Sequence, residues 1–384
     1  MRILLASPYD LTYLGGVTSH VYDLADQFAL EGHDVTVAGP MGGGLIQHGE
    51  VVKLGSSFRF PTQSDAARIN LNPLIGWKTR DLFKGRDFDV MHLHEPFLGF
   101  IGSSLMRHGD GVKVGTFHTW NKRPHLPYLA FGPLVRRWNS MLDGRIAVSD
   151  SARATINRYV PDAYRLIPNG IPFDMFATPV KPPEHLRDGR PTILFVGRLE
   201  PRKGVQVLLR SYQMLKQRIR DLRLVVVGDG SMARKLRSWT KDHELEDVLF
   251  EGYQPREALP AYYQRADVFC APSIENESFG ITLLEGMAAG RAVVATEGNG
   301  SQTLGKNGET GLVVEAGEAS GLADALERLL EDRALAERLG MAAQRRAQDF
   351  DWSIVAAKII DYYKEVSPAP ELSLAFASQS SAGS

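Results

Sequence analysis

Hydrophobic positions form two alternating kinds of segment along almost the whole chain. Short continuous apolar runs, of which residues 2–7 and 34–39 are the first two, have the length of strands buried on both faces. Longer runs between them carry apolar residues at helical spacing, as Val21, Leu24 and Phe28 show. Strands that alternate with amphipathic helices predict an α/β fold built on parallel sheets.

The alternation restarts after a proline-rich connector, "PVKPPEHLRDGRP", at residues 179–191. A second set of strands predicts two Rossmann-like domains, residues 1–173 and 174–348, which face each other across a deep cleft. We expect a last helix at about 349–366 to pack back onto the first domain. Residues 367–384 lack a core-forming pattern and are predicted to be disordered.

Composition narrows the class of protein. The 384 residues include 44 basic and 45 acidic side chains, a balance that argues against a general nucleic-acid binder. The single cysteine, Cys270, excludes a disulfide framework within the chain and fits a reducing compartment. The apolar run at the start is too short for an export signal, and no stretch is long enough to span a bilayer. We therefore expect a cytoplasmic protein, peripheral on the inner membrane face if it meets a membrane.

Two glutamates, Glu277 and Glu285, lie eight positions apart around a nearly charge-free helical run. A carboxylate in such an apolar segment needs hydrogen-bond donors from the protein or from a ligand. The helix begins near Phe279 and Gly280, so the free N–H groups of Gly280 and Ile281 can bind an anion or a sugar hydroxyl. The alternative makes Glu277 a partner of the helix dipole and Glu285 a solvated helix residue.

Three other short motifs predict contacts with a phosphorylated ligand. Arg198 and Lys203 flank a strand-to-helix loop in "VGRLEPRKG", where their side chains would converge on a diphosphate. Gly15 and Gly16, in "YLGGVTSHV", permit close approach of the backbone to phosphate. His118, in "GTFHTW", ends a predicted strand and is interpreted as a hydrogen-bond partner rather than a general base.

These motifs, with "HLHEP", "TFHT" and "ESFGITLLEGMAAG", resemble the retaining glycosyltransferases of family 4, which have the GT-B fold. The resemblance implies that Glu277 and His118 contact the donor sugar and that Glu285 binds the ribose hydroxyls. It implies that Arg198 and Lys203 neutralise the leaving diphosphate, so that no metal or other cofactor is needed. The remaining residues expected at the donor are Gly16, Gly228, Gln254, Phe279, Gly280 and Ile281, and those expected at the acceptor are Tyr9, Gly15 and Gly16.

The order of the motifs is similar to that of the family's branch that moves mannose from GDP-mannose to phosphatidylinositol at the cytoplasmic membrane face. A segment that would suit an anionic membrane spans residues 53–86, with seven basic residues against two acidic ones. Around Trp77 this segment mixes Leu82 and Phe83 with basic side chains. The residues expected at the membrane are Trp77, Lys78, Arg80 and Lys84. The alternative is a solvated helix that covers the core.

Several alternatives remain open at the level of sequence. "GDGSMA" at 228–233, followed by Glu251, has the outline of a dinucleotide fingerprint and gives a weaker hypothesis of NAD binding. His92 and His94, with Glu95 adjacent, are a second weak candidate, for a metal site. The loop expected to meet the base presents Tyr253, Gln254 and Arg256 and offers guanine no acidic acceptor, so a UDP-sugar donor is the alternative to GDP-mannose. A sugar-nucleotide epimerase of the same fold is a further alternative. The sequence does not predict the acceptor or the oligomeric state.

Overall fold

A computed structural model of the protein describes most of the chain. The described residues are 1–13, 15–43, 50–61, 66–120, 126–275, 277–298, 300, 303 and 305–367. The tail predicted to be disordered therefore lies, apart from its first residue, outside the described residues.

The first half of the chain is built on a parallel sheet. Its strands are β1 (Arg2–Ala6), β2 (Asp34–Gly39), β3 (Val51–Lys53), β4 (Phe58–Pro61), β5 (Ala66–Ile69), β6 (Val90–His94), β7 (Val112–Phe117), β8 (Gly144–Ala147) and β9 (Arg165–Leu166). Seven of them form the sheet in the order β3-β2-β1-β6-β7-β8-β9, and all neighbours are parallel. Strands β4 and β5 pair separately as an antiparallel hairpin.

Helices cover this sheet. They are α1 (Gly16–Leu30), α2 (Gly76–Leu82), α3 (Ile101–His108), α4 (Leu126–Ala130), α5 (Gly132–Asn139) and α6 (Asp150–Asn157). Helix α1 buries Val21, Leu24 and Phe28 on one face, as their spacing predicts. Gly32 follows the end of this helix with a φ of 82°, a left-handed conformation that glycine adopts without steric cost.

The second half repeats the architecture. Its strands are β10 (Thr192–Val196), β11 (Arg223–Val227), β12 (Val248–Gly252), β13 (Val268–Ala271), β14 (Ala292–Thr296) and β15 (Leu312–Val314). They form a parallel sheet in the order β12-β11-β10-β13-β14-β15. The remaining helices are α7 (Phe173–Ala177), α8 (Val205–Lys216), α9 (Ala233–Asp242), α10 (Leu259–Arg265), α11 (Ile281–Ala288), α12 (Ala319–Glu331), α13 (Arg333–Gln348) and α14 (Trp352–Val366). The predicted α/β class with parallel sheets is confirmed.

The first strand of each sheet is buried from both sides. Ile3 and Leu5 in β1, and Ile193 and Leu194 in β10, expose at most 1% of their surface. Burial of each such side chain contributes roughly 1.5–3 kcal/mol. These continuous apolar strands are the ones that the sequence pattern predicts most clearly.

The last helix, α14, lies against the first sheet rather than the second. Its side chains Val355 and Ile359 are buried in the same core as Ile3 and Phe28. The chain crosses between the halves where Ile171 bridges to Asp351.

In both sheets the strand order reverses beside the first strand, between β1 and β6 and between β10 and β13. Ligands of open α/β sheets bind outside the carboxyl ends of the strands at such a point. In the second sheet the loops after β10 and β13 touch there. A Cβ on Gly204 would lie 1.8 Å from the carbonyl oxygen of Pro272, and the N–H of Ile274 donates to the carbonyl oxygen of Arg202 over 2.8 Å.

Candidate active site

Three ionised side chains meet where the loops after β10 and β13 touch. The Lys203 ammonium pairs with the Glu277 carboxylate, and an Arg202 nitrogen lies 3.6 Å from the same carboxylate. Burial by itself would raise the pKa of Glu277, but Lys203 and Arg202 outweigh it and hold the pKa below its usual value. Burial lowers the pKa of the Lys203 ammonium, which Glu277 partly restores. The two groups face each other as an ion pair.

A second carboxylate, Glu200, anchors the two arginines of the same loop. The guanidinium of Arg202 donates to Glu200 over 2.8 Å, and a nitrogen of Arg198 lies 2.7 Å from the other carboxylate oxygen. Glu200 is buried, whereas 54% of the Arg198 side chain is exposed. The structure therefore brings Arg198 and Lys203 into one loop, as predicted. It adds Arg202 and Glu200, which the sequence reasoning missed.

Glu285 is buried on α11, with 6% of its surface exposed, so the alternative of a solvated helix residue is wrong. The hydroxyl of Tyr263 donates to its carboxylate over 2.7 Å. Burial raises the pKa of Glu285 to about 7, although Tyr263 and the more distant Arg256 act in the opposite direction. The partner Tyr263 was missed from the sequence, because it lies 22 positions away on α10.

The N-terminus of α11 faces the glycine loop of the first half. Gly280 caps the helix with a φ of 86°. A Cβ on Gly16 would lie 3.8 Å from the Cδ1 atom of Ile281, whereas a Cβ on Gly15 would meet no heavy atom within 4 Å among the described residues. The predicted phosphate contacts of the two halves, at Gly16 and at Gly280, therefore lie close together. We call Arg198, Arg202, Lys203, Glu277 and Glu285 the charged edge.

On the first sheet, His118 follows β7 and is buried. A ring nitrogen of His118 lies 3.0 Å from one of His94, and the His118 backbone N–H donates to Glu95 over 2.7 Å. Burial lowers the pKa of His118 to about 3, so its imidazole is neutral at physiological pH. This state suits a hydrogen-bond partner of a sugar hydroxyl.

Glu95 is a further buried carboxylate, which the sequence suggested only as a neighbour of the weak metal candidate. It has a φ of 47°, and its carboxylate also accepts hydrogen bonds from the backbone N–H and the hydroxyl of Thr119, both at 2.7 Å. Burial raises its pKa. Tyr9 lies close enough to Glu95, and to Arg198 of the other half, for both charges to affect the pKa of its hydroxyl, which burial raises. The predicted acceptor residue Tyr9 therefore lies where the two halves meet.

Three predicted donor residues have other contacts in the structure. The Phe279 ring is buried in the core beside Phe350, which leaves only its backbone for a ligand. A Cβ on Gly228 would lie 2.0 Å from the Gly197 carbonyl oxygen, so glycine is required there by packing. The amide of Gln254 donates to the Glu251 carbonyl oxygen over 2.9 Å.

Arg256, at the end of the loop expected to meet the base, turns towards the first half instead. Its guanidinium binds both carboxylate oxygens of Asp23 on α1, one of them over 2.8 Å. The indole N–H of Trp352 on α14 donates to the same carboxylate over 3.1 Å. These contacts join three elements beside the cleft.

The residues that suggested NAD binding and a metal site make hydrogen bonds within the protein. Glu251, the acid of the dinucleotide outline, accepts a hydrogen bond from Tyr262 and lies 3.0 Å from a ring nitrogen of His185. His92, one of the two candidate metal ligands, bonds through both ring nitrogens, to Thr116 and to Tyr363.

The basic segment presents a mixed surface around α2. Trp77 is 66% exposed and Leu74 is 74% exposed, and the Lys78 ammonium lies 5.2 Å from the centre of the Trp77 ring. Arg80 and Lys84 are also exposed. Leu82 is buried in the core and does not contribute to this surface. Within the described residues, no helix combines the length and the apolar character needed to cross a bilayer.

Comparison with known proteins identifies the family to which the chain belongs. The sequence model described as "Glycosyltransferase Family 4" matches residues 14–175, and the one described as "Glycosyl transferases group 1" matches residues 178–346. A phosphatidyl-myo-inositol mannosyltransferase of Mycobacterium leprae is 36% identical over 367 residues, which cover 95% of this chain and 97% of the relative. The enzyme of the same name from Mycolicibacterium smegmatis is 35% identical over 370 residues, 96% of this chain and 95% of the relative.

Among solved structures, Anabaena HepE in complex with UDP and glucose superposes with a TM-score of 0.77 at 18% identity, covering 95% of this chain and 99% of its own. The fold is thus the GT-B fold, as the resemblance implied. The chain belongs to glycosyltransferase family 4, and it is an enzyme that transfers a glycosyl group.

Proposed function

We propose that this glycosyltransferase moves mannose from GDP-mannose to a hydroxyl of phosphatidylinositol, with the anomeric configuration retained. The observation that carries the proposal is the Lys203–Glu277–Arg202 cluster at the strand-order reversal of the second sheet. It combines cations for a diphosphate with a carboxylate for the sugar. The names of the mycobacterial relatives support the choice of sugar and acceptor.

The donor would lie along the charged edge. The ribose hydroxyls would donate to Glu285, which is buried and receives one hydrogen bond from Tyr263. The diphosphate would meet Lys203, the exposed guanidinium of Arg198 and the free N–H groups at the start of α11. Glu277 would then exchange part of its pairing with Lys203 for a sugar hydroxyl, and His118 would approach the sugar from the first sheet.

In the transfer step the acceptor oxygen forms a bond to the anomeric carbon on the face from which the diphosphate departs. The bond from the anomeric carbon to the phosphate oxygen breaks, and the acceptor proton passes to that phosphate oxygen. Negative charge therefore grows on the diphosphate. Preorganised cations and helix N–H groups stabilise such charge strongly, because they need no reorganisation during the reaction. We accordingly propose that the transfer requires no metal, and that chelation by EDTA does not lower turnover.

A donor and acceptor panel tests the proposal. The purified chain is mixed with GDP-mannose, UDP-glucose or ADP-glucose and with phosphatidylinositol in detergent, and the lipid is analysed by mass spectrometry. We expect a hexose adduct with GDP-mannose and acceptor together, and the α anomer by proton NMR. An adduct formed only with a UDP-sugar would overturn the choice of donor. Conversion of the nucleotide sugar to an epimer without acceptor would overturn the transfer itself.

We also propose that the surface around Trp77 rests on an anionic membrane. Clustered basic residues gain about 1 kcal/mol each near such a surface, and exposed apolar side chains add burial. The chain should sediment with vesicles that contain phosphatidylglycerol, less so at high salt, and not with pure phosphatidylcholine. Lys78→Glu should reduce sedimentation, whereas Lys241→Glu, on an exposed part of α9, should not. Equal sedimentation of both variants would refute the assignment of this surface.

A further inference from the structure

A cluster of histidines lies beneath the first sheet's carboxyl edge. His20 on α1, His94 at the end of β6 and His118 after β7 are all buried, with ring centres 4.8–5.3 Å apart. Each ring offers a nitrogen, and these three nitrogens lie within 4.8 Å of one another. We call these three residues the histidine cluster.

The cluster contains buried polar atoms without partners. Among the described residues, neither ring nitrogen of His20 has a hydrogen-bond partner, nor has Nε2 of His94 or the side-chain oxygen of Asn169. The Asn169 side chain lies beside the rings of His20 and His118, near hydrogen-bonding range of both, but none of these contacts has the geometry of a hydrogen bond. Proteins rarely leave several such atoms unsatisfied at one place, because each has lost its contacts with water. Their convergence on one spot points to an occupant.

The chemistry of these atoms selects the occupant. Neutral imidazole is the form that coordinates metal, and it suits zinc, copper, nickel and cobalt rather than magnesium or calcium. The side-chain amide oxygen of Asn169 would be a fourth ligand. The neighbouring carboxylate, Glu95, accepts hydrogen bonds from the backbone N–H groups of His118 and Thr119 and is not among the proposed ligands.

We propose that His20, His94 and His118 form a binding site for a transition-metal ion such as Zn²⁺, with the side-chain oxygen of Asn169 as a fourth ligand. Zinc–nitrogen bonds of roughly 2.0–2.1 Å place tetrahedral ligand nitrogens about 3.4 Å apart, so the rings must draw together around the ion. The existing contact between His94 and His118, at 3.0 Å, would be replaced by bonds to the metal.

His118 belongs both to this metal site and to the proposed donor site, so a bound ion would affect the transfer reaction. A metal-bound His118 cannot at the same time offer that nitrogen to a sugar hydroxyl. The ion is therefore an inhibitor of the transferase and not a catalytic cofactor. This conclusion agrees with the proposal that the transfer itself requires no metal.

Metal binding is measured directly, independent of activity. The full chain, stripped with chelator and desalted, is equilibrated with Zn²⁺ or Co²⁺, and bound metal is counted by mass spectrometry and by the visible absorption of Co²⁺. We expect one ion per chain. His20→Gln should weaken binding at least tenfold, and His243→Gln, which removes an exposed histidine of the second half, should change nothing. No retained ion, or equal loss in the two variants, would overturn the proposal.

A second variant protects the test against misfolding of the first. Asn169→Asp supplies a charged oxygen in place of the neutral amide and should tighten Zn²⁺ binding about tenfold. Excess Zn²⁺ should lower the turnover of the wild-type chain. The Zn²⁺ concentration needed to inhibit His20→Gln should be at least tenfold higher. Wild-type affinity in both His20→Gln and Asn169→Asp would show that the ion binds elsewhere. A water molecule as the natural occupant would appear as failure of the wild-type chain to retain metal.

Discussion

The loops that follow the strands of the second sheet carry ionised side chains, whereas those of the first sheet carry neutral, buried histidines. Both sets lie where the strand order reverses beside the first strand of a parallel sheet. In one, Lys203, Arg202 and Glu277 remain charged because they pair with each other. In the other, burial without ionic partners keeps His94 and His118 uncharged.

One topology can therefore supply two electrostatic environments for one reaction. In the proposed reaction a leaving diphosphate would need fixed positive charge, which the charged edge would supply in a site partly removed from water. A sugar hydroxyl would need a neutral donor or acceptor, which His118 would supply under the same proposal. The fold positions both, but only the residues in the loops decide which side carries charge.

The largest expected effect comes from removing a cation of the charged edge. Lys203→Ala should lower kcat by about 10²–10³, because a preorganised group that stabilises the leaving charge is lost. Steady-state kinetics with GDP-mannose measure this change. Lys241→Ala, an exposed lysine of α9, is the matched control and should behave as wild type. A fall confined to KM would mean that Lys203 only holds the donor in its ground state.

Glu285→Gln should act on binding more than on turnover. A hydrogen bond to a charged acceptor contributes about 1.5–3 kcal/mol, so affinity for GDP should fall about 10- to 100-fold. Calorimetric titration with GDP measures the loss. Glu331→Gln, at the exposed end of α12, should leave the affinity unchanged. If the two variants bound GDP equally well, Glu285 would have no contact with the ribose.

The pH dependence of donor binding distinguishes Glu285 of the charged edge, which titrates near neutral pH, from His118 of the first sheet, which does not. The pKa of Glu285 is raised to about 7, so its carboxyl is protonated below that pH and loses acceptor capacity. Affinity for GDP should therefore be constant above pH 7. Below pH 7 it should decrease, with a slope that approaches tenfold per pH unit. Glu285→Gln should flatten the profile. His118→Gln should leave its midpoint unchanged, because His118 does not titrate in this range; a shifted midpoint would contradict the neutral assignment.

The smallest effect is expected at the contact that joins the two halves. Asp23→Asn weakens a part-buried pair with Arg256 and should lower the free energy of unfolding by about 1–3 kcal/mol. Urea unfolding measures the change. Arg333→Ala, which breaks an exposed pair with Glu337, should cost only about 0.3–0.5 kcal/mol. Similar losses in both variants would show that the contact at Asp23 is no more than a surface ion pair.

The sequence predicts the central elements of this fold well and its margins poorly. Strands such as β1 and β10 are buried on both faces and form unbroken apolar runs. The edge strands β3 and β9 have two or three residues each and carry no such run, so the sequence reasoning missed them. The hairpin of β4 and β5 falls inside the basic segment, where charge rather than alternation dominates the pattern.

The residues of the candidate site likewise fall into those that the sequence singled out and those that it did not. Lys203 and Glu277 each lie within a short continuous motif, so spacing and residue type alone single them out as candidates. Tyr263 and Glu95 cannot, because their roles arise only when distant strands and helices pack together. Arg202 was within reach of the sequence, since it lies between the two predicted cations of one loop. Arg256 was misplaced because nothing in its own loop reveals the distant Asp23.

The most direct test of the central claim is a crystal structure of the chain with GDP bound. We predict that both ribose hydroxyls lie within hydrogen-bonding distance of the Glu285 carboxylate. We also predict that the diphosphate lies between Arg198, Lys203 and the first N–H groups of α11. A nucleotide bound elsewhere, or a ribose that leaves Glu285 paired only with Tyr263, would contradict this claim.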